Sequence, residues 1–352
     1  MRIRLDPSDE YMHPGPEPTF NESMYFNVYD ASARVGGFVR VGNRPNEGHA
    51  EMTVCLYLPD GRVAFMFQRA DIDGNERFDA GGATIEVVEP FRTEDRPDEA
   101  AGGGHQRVAY EGRVVVLSEP LDMAHPRRAF TENPSAEAKV DLTYRGISRP
   151  FGGEAEGRHE RAGEEFAKGH YEQLVTASGT ISVGDDTWTI DGQGLRDHSW
   201  GPRTWQAPWY YRWLTMNFGD GTGLMLSRIA RAEGPGTRSG FVWDGEELQY
   251  VLGMTVATEW VGEDRHHGRI SATFRTGPPE SRFGISRTVT GEVMNLIPLR
   301  NRRDGRVTRI SEGLTRWTLD EAIGSDPAAT VGYGMSEYLD QITDDGPVGI
   351  DE

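Results

Sequence analysis

The run Asp197-His198-Ser199-Trp200-Gly201 places two titratable side chains inside a dense group of aromatic residues. Five of the eight tryptophans of the chain lie in this region, together with two tyrosines: Trp188, Trp200, Trp205, Trp209, Trp213, Tyr210 and Tyr211. An aspartate beside a histidine can donate or accept protons, and aromatic faces attract a developing positive charge. The run therefore fits acid-base chemistry on an apolar substrate, or a well-packed core.

His198 has a functional and a structural interpretation. An imidazole has a pKa of about 6.5, which burial or a neighbouring carboxylate shifts across neutrality, so His198 suits a general acid or base. The structural alternative is a core histidine that hydrogen-bonds to a backbone carbonyl, with Asp197 capping a turn. On physical grounds alone, both interpretations stay open.

Strand geometry separates the members of this run. If Gly194–Trp200 is extended, its side chains alternate between two faces, so His198 and Trp200 share one face and Asp197 points to the other. The same alternation in the next strand predicts one face formed by Trp209, Tyr211 and Trp213. If the opposite face of that strand is also largely apolar, the strand is covered on both sides, as expected where two layers or domains meet.

Short antiparallel strands must position these residues, because turn signals recur along the chain. The chain contains 44 glycines, and seven Asp-Gly dipeptides begin at Asp60, Asp73, Asp191, Asp220, Asp244, Asp304 and Asp345. Asp-Gly between apolar segments is the strongest short-range hairpin signal. Helical patterns are scarce, and the segment Glu154–Gln173 is the best helix candidate despite its glycines.

These patterns predict an all-β fold with two β-barrel or β-sandwich domains in tandem and few short helices. The predicted organisation is an extended N-terminal arm (1–20), a first β domain (21–195), a second β domain (196–345) and a tail (346–352). A length of 352 residues suits two such domains.

Charge and composition exclude several classes of function. The chain has 37 basic and 56 acidic residues, which gives a net charge of −19. This balance disfavours nucleic-acid binding, which depends on neutralising phosphates with Lys and Arg. No secretory h-region or membrane-spanning apolar run is present, and Cys55 is the only cysteine. We therefore expect a cytoplasmic protein without a membrane span or disulfide.

Two possible metal motifs fail on spacing, so the sequence assigns no metal site. The segment Asp71–Asn75 begins like a calcium loop but lacks the glycine and glutamate that an EF-hand needs, which favours a polar hairpin turn. His266 and His267 lie beside Asp264, but adjacent strand residues face opposite ways. A solvated loop is the expected setting of these histidines.

The longer motif that runs from Gly192 to Gly201, Gly-Gln-Gly-Leu-Arg-Asp-His-Ser-Trp-Gly, resembles the signature of the carotenoid 1,2-hydratase (hydroxyneurosporene synthase) family. Relatives of that family include tandem lipocalin-like proteins and fungal Diels–Alderase-type cyclases. The family pattern also favours the segments His170–Gln173 and Gly332–Tyr338. The motifs cover about a tenth of the chain.

The resemblance implies two lipocalin-like β domains with a pocket between or beneath them. Family hydratases protonate an isolated alkene, form a carbocation within aromatic walls and quench it with water. Asp197, His198 and Trp200 are the motif positions that carry over, with His198 and Asp197 as the catalytic candidates. For Trp200, packing between layers is as consistent with the motif as lining the pocket.

Further candidates follow as substrate-binding residues. Arg203 follows the motif and could hold an anionic group of a substrate, although a surface salt bridge is the commoner role. The remaining candidates are the aromatic pocket walls and three residues of the family segments: Trp205, Trp209, Tyr211, Trp213, Glu172, Tyr333 and Glu337.

The leading hypothesis is a cofactor-independent enzyme that acts on a hydrophobic small molecule of isoprenoid, polyketide or steroid-like type. It would work by acid-base catalysis, as a hydratase or lyase, or as an isomerase or cyclase. The first alternative is a lipocalin-like carrier that releases its ligand unaltered. The second is a scaffold protein in which the aromatic cluster is all core.

Overall fold

The computed structural model describes residues 3–93, 102–155, 166–277 and 284–350. The chain divides into two compact units. The first consists of the described residues within Met1–Glu119 and Pro126–Thr204, and the second of those within Pro120–His125 and Trp205–Glu352. The predicted boundary between residues 195 and 196 lies inside a continuous strand, whose pairing extends on both sides of that point.

The first unit is built almost entirely of antiparallel strands. Its strands are Ile3–Arg4 (β1), Phe20–Asp30 (β2), Val35–Arg44 (β3), His49–Tyr57 (β4), Val63–Asp71 (β5), Phe78–Ala80 (β6), Ala83–Glu89 (β7), His105–Leu117 (β8), Ser135–Gly146 (β9), Phe151–Ala155 (β10), Gly169–Val183 (β11) and Asp186–Pro202 (β12). Its helical segments are the 3-10 turns Pro7–Glu10 and Pro45–Glu47 and the short helix Pro126–Glu132 (α1).

Eight strands of this unit close into a barrel. Their order is β12, β2, β3, β4, β5, β8, β9 and β11, and β11 pairs in turn with β12. Alternation along each strand turns one face inward, where an apolar core forms from residues such as Met24, Phe26, Val54, Tyr144 and Val175. The barrel therefore holds a packed core.

The second unit is a simpler meander. Its strands are Tyr210–Phe218 (β13), Gly223–Ala230 (β14), Thr237–Trp243 (β15), Leu248–Val261 (β16), His266–Gly277 (β17), Ile285–Arg303 (β18), Arg306–Leu319 (β19), Val331–Thr343 (β20) and Gly346–Pro347 (β21). The 3-10 turn Pro120–Ala124 also belongs to this unit. Strands β13 to β20 pair in sequence, and β20 pairs with β13, which closes a second eight-stranded barrel. Leu214, Phe274 and Trp317 are among its core residues.

The predicted all-β fold, with two lipocalin-like domains in tandem and few short helices, is confirmed. Among the described residues, no helix is long or apolar enough to cross a membrane.

Two local predictions are wrong. The helix predicted for Glu154–Gln173 is replaced by strand at both described ends, where β10 pairs with β11, and the residues between 156 and 165 lie outside the described part. Ladder hydrogen bonds there outweigh a helix propensity that glycines already weaken. His266 and His267 are not in a solvated loop, since both are buried at the start of β17.

The N-terminal arm is only partly extended. Asp6 caps the 3-10 turn Pro7–Glu10 by accepting a hydrogen bond from the Ser8 backbone N–H, and the Asp9 side chain accepts one from the Asp6 backbone. This reciprocal cap fixes the turn, and Asp9 and Glu10 are buried within the first unit. The arm therefore supplies side chains to the site described below.

Candidate functional site

Strand β12 carries two polar clusters on its two faces. His198 lies opposite Met24 of β2 and Tyr171 of β11, on the face that points into the core of the first barrel. Asp197 lies opposite Glu172 on the other face. We call the group His13, Glu22, His198 and Trp200 the inner cluster, and the group His170, Glu172 and Asp197 the outer cluster. The sequence predicts the alternation that separates them.

Glu22 is the centre of the inner cluster. Its Oε1 lies 2.7 Å from His13 Nδ1 and 3.0 Å from His198 Nε2. Its Oε2 accepts hydrogen bonds from the His13 backbone N–H at 2.8 Å and from Asn75 Nδ2 at 2.7 Å. Burial alone would raise the pKa of Glu22, but the hydrogen bonds from the two histidines outweigh it and lower the pKa to about 2. Glu22 is therefore ionised.

The ring of His198 is enclosed by other rings. The centroids of Trp200, Tyr171 and Phe78 lie 5.4, 5.6 and 5.8 Å from that of His198. The side chain is 1% exposed, and Nδ1 has no hydrogen-bond partner among the described residues. In this arrangement a substrate cannot reach the imidazole, so the catalytic role of His198 stays a prediction that the geometry does not favour.

Trp200 takes the packing role. Its indole stacks on His13, with centroids 4.0 Å apart and planes 4° from parallel. It is buried in a small apolar cluster with Phe20, Phe91 and Tyr171. Across the ladder, Gly169 leaves the space that the indole fills, because a Cβ there would lie 2.2 Å from the indole atoms. Trp200 therefore seals the inner cluster.

A buried ion pair lies next to the inner cluster. Arg196 Nη1 donates to Glu10 Oε2 at 2.8 Å, and the Tyr171 hydroxyl donates to the same oxygen at 2.5 Å. Arg196 Nε and Nη2 both donate to Gln173 Oε1, at 2.8 and 2.7 Å. Although burial opposes it, the charge of Arg196 holds the pKa of Glu10 below its usual value. The N-terminal turn that carries Glu10 is thus anchored inside the barrel.

The outer cluster is the more accessible one. His170 Nε2 forms a short hydrogen bond with Asp197 Oδ2 and lies 3.6 Å from Glu172 Oε1. The side chain of His170 is 40% exposed and that of Asp197 is 16% exposed, whereas Glu172 is buried. The outer cluster therefore combines one imidazole with two carboxylates, and a small molecule can reach at least the imidazole.

The carboxylates set the protonation state of the outer cluster. Burial lowers the pKa of His170, but the nearby charges of Asp197 and Glu172 outweigh it and raise the pKa to about 9. Burial raises the pKa of Asp197, but the charge and hydrogen bond of His170 lower it below its usual value. At neutral pH the cluster therefore contains an imidazolium between two carboxylates.

Arg203 lies close to the outer cluster, and its charge further lowers the pKa of Asp197. Its Nε donates to the Phe166 carbonyl at 2.9 Å, and its guanidinium lies 4.7 Å from the centre of the Phe166 ring. The predicted role in holding an anionic group stays a prediction. The guanidinium is buried, and its charge acts on both His170 and Asp197.

Most of the other predicted residues belong to the second unit. In the β13–β20 ladder Trp213 lies opposite Glu337, and the Tyr211 hydroxyl donates a hydrogen bond to Glu337 Oε1. Tyr333 lies opposite Asn217 in the same ladder, so four predicted residues share the outward face of two neighbouring strands. Trp209 precedes β13 and is 36% exposed, and the Trp205 carbonyl accepts a hydrogen bond from Gln341.

The sequence-based interpretation missed the partners of both clusters. His13 and Glu10 lie in a segment expected to be an extended arm, and Glu22 stands in a sequence resembling a glycosylation site. His170 belongs to a segment from which only Glu172 was selected. The available signal was the alternation of His170 and Glu172, which puts both side chains on one face of a strand.

The comparisons with known proteins identify a family. A family described as a domain of unknown function, DUF7064, matches residues 6–342. The chain belongs to the DUF7064 family. A comparison of this DUF7064 chain with curated proteins gives no significant match. The resemblance to the carotenoid 1,2-hydratase family is supported at the level of a related fold, while the matching family is DUF7064.

Several solved structures have a fold similar to that of this DUF7064 chain. A Nitrosomonas europaea protein named as a candidate AttH has 12% identity and a TM-score of 0.59, with 96% of each chain covered. CghA in complex with Sch210972 has 13% identity and a TM-score of 0.52, with 92% of this chain and 88% of CghA covered. Kievitone hydratase from Nectria haematococca has 10% identity, a TM-score of 0.49 and coverages of 90% and 88%. At these identities the likeness concerns the fold.

Proposed function

We propose that this protein is an enzyme that moves protons on a hydrophobic small molecule, with His170 as the acid and Asp197 as the base. The observation that supports this proposal most is the outer cluster, where the partly exposed imidazole of His170 forms a hydrogen bond with the carboxylate of Asp197. Opposite protonation states in adjacent groups are what general acid-base catalysis requires. We infer a small-molecule substrate for this chain because CghA, a protein of similar fold, has Sch210972 bound.

The protonation states favour a particular class of substrate. An imidazolium with a pKa of about 9 is too weak an acid to protonate an isolated alkene, whose carbocation has no adjacent stabilising group. It can, however, hydrogen-bond to an oxygen on which negative charge develops. We therefore propose an alkene conjugated to a carbonyl as the substrate, and not the isolated alkene that the family resemblance implies.

The proposed reaction is hydration or dehydration, or shift of the double bond. In hydration, Asp197 removes a proton from water as the oxygen attacks the alkene, and His170 stabilises the resulting enolate oxygen. His170 then donates one proton to the enolate carbon, and the proton on Asp197 passes to His170 through their shared hydrogen bond, so water is added overall and both groups return to their starting states. Glu172 stabilises the imidazolium, and the aromatic residues supply apolar contact. No step in this scheme needs a cofactor.

A panel of substrates tests the proposal. Conjugated and isolated alkenes of isoprenoid, polyketide and steroid-like type are incubated with the protein and analysed by mass spectrometry. We expect the gain of one water or an isomer of unchanged mass for conjugated substrates alone. Turnover of isolated alkenes alone would contradict the proposal that the weakly acidic imidazolium of His170 acts on a conjugated alkene. Binding of a ligand that is recovered with both its mass and its chromatographic retention unchanged would favour the alternative, a carrier.

The pH dependence follows from the raised pKa of His170. The imidazolium is fully formed below the usual pKa of histidine and is lost as the pH rises through about 9. We expect turnover to fall above about pH 9, and the His170 signal in a histidine NMR titration to move with the same midpoint. A His170 midpoint near 6.5 would show that the carboxylates do not hold the proton.

A further inference from the structure

The inner cluster brings together three side chains of the types that bind metal ions. His13 Nδ1, Glu22 Oε1 and His198 Nε2 all lie within 4.8 Å of one another. They come from three elements, namely the N-terminal arm, β2 and β12. Glu22 and His198 are fully buried and His13 is largely buried, so the three ligand atoms face one another away from solvent.

The donor set and its spacing fit zinc. Two imidazole nitrogens and one carboxylate oxygen form a common zinc ligand set, with a fourth position left for water or another group. Tetrahedral ligands, each about 2.0 Å from zinc, are about 3.3 Å apart. The observed separations from Glu22 Oε1, 2.7 Å to His13 and 3.0 Å to His198, approach that spacing. A small outward movement of the two rings would admit the ion.

Neighbouring groups orient two of the three ligands as they do in metal sites. His13 Nε2 lies 3.3 Å from Asp9 Oδ1, which gives a carboxylate behind the imidazole. Asn75 Nδ2 donates to Glu22 Oε2 and leaves Oε1 directed at the two histidines. Such outer partners fix the tautomer and the ring orientation of a ligand.

Charge is compatible with a dication at this position. Glu22 is a buried carboxylate between the two histidines, and Asp9 is a second one that also pairs with Arg4 at 3.5 Å. A divalent ion would compensate the charge of Glu22 while the two imidazoles bind it in their neutral form. The outer cluster is less suitable, because it offers a single imidazole and lies beside the positive charge of Arg203.

We propose that His13, Glu22 and His198 bind one zinc ion, which fastens the N-terminal arm to β2 and β12. We assign the ion a structural role because the rings of Trp200 and Phe78 enclose the site, although three protein ligands with an open position are also the set that zinc enzymes use. This inference does not rest on the proposed enzymatic activity, which uses the residues of the opposite face.

Elemental analysis and thermal unfolding of the full chain test the site. We expect about one zinc per chain after growth with zinc, a lower Tm after treatment with a chelator, and recovery when zinc is returned. His13→Asn should lose the metal and the response to the chelator. His13 is the most exposed ligand, so this variant is the one expected to keep its fold. Asp9→Asn should weaken the affinity for zinc about 10- to 100-fold.

Two matched variants separate the possible outcomes. His49→Gln replaces a histidine of the same unit that lies outside both clusters and whose Nδ1 lies 3.4 Å from the Glu47 carbonyl, and it should keep the metal. His170→Gln should keep the metal and lose turnover, which separates the zinc site from the enzymatic proposal. Wild-type protein without zinc, or zinc that persists in His13→Asn, would overturn the assignment. The assignment would also be overturned if His170→Gln lost the zinc while His13→Asn kept it, because the ion would then lie in the outer cluster.

Discussion

Replacing Asp197 by asparagine is expected to lower turnover of the conjugated substrate by about 10²- to 10⁴-fold, the usual effect of removing a positioned acid or base. Asparagine keeps the size of the side chain and can still accept a hydrogen bond from His170, but it cannot take up a proton. The pKa of His170 should also fall, because the charge of Asp197 is a main cause of its elevation. The measurement is kcat and kcat/KM for the variant and the wild type.

Matched variants make this result specific. His170→Gln should reduce turnover by a similar factor, and the double variant should be no worse than either single one, because the two groups act as a unit. Asp141→Asn is the control, since its carboxylate pairs with Arg107 on the surface of the same barrel. Unchanged turnover in Asp197→Asn would contradict the catalytic role of Asp197. A larger loss of turnover in a folded His198→Gln variant would instead favour His198 of the inner cluster as the catalytic residue.

Replacing Arg196 by methionine is expected to lower the free energy of unfolding by about 3–5 kcal/mol, the cost of leaving a buried charge without its partner. Glu10 is buried and would lose both its salt bridge and one hydrogen bond. Gln173 Oε1 would also lose two donors. The measurement is chemical denaturation of the variant and the wild type.

A second variant and a control distinguish the lost charge pair from poor packing. Adding Glu10→Gln to Arg196→Met removes the unpaired charge and should recover part of the stability, because Gln106 can still donate to the amide oxygen while the Tyr171 hydroxyl turns to accept from the amide nitrogen. Arg107→Met breaks a surface pair and should cost less than about 1 kcal/mol. Equal losses for Arg107→Met and Arg196→Met would contradict the role of burial.

The fold could be predicted from local signals. Asp-Gly turns and apolar alternation are properties of neighbouring residues, so they indicate hairpins such as β13–β14 directly. The alternation of Asp197 and His198 along β12 follows from the same rule. The wrong helix at Glu154–Gln173 also has a local cause, because alanine and glutamate favour a helix until a neighbouring strand supplies ladder hydrogen bonds.

The partners of the site could not be predicted, because they depend on strand register and on closure of the barrel. Glu22 and His198 are 176 residues apart and meet only because β2 pairs with β12. Glu10 and Arg196 are 186 residues apart and meet because the N-terminal arm enters the barrel. Neither pairing leaves a periodic pattern in the sequence, so the sequence points to the buried His198 as the main candidate and gives no comparable signal for the more exposed His170.

The most direct test of the proposed chemistry is the deuterium content of product formed in D₂O by the wild type and by His170→Gln. Proton transfer between the outer cluster and carbon predicts carbon-bound deuterium in the wild-type product, detected by mass spectrometry after exchangeable deuterium has been washed out. The His170→Gln variant, folded and binding the same substrate, should form almost none of this product. Wild-type product without carbon-bound deuterium, or equal labelled product from both proteins, would contradict acid-base catalysis by His170 and Asp197.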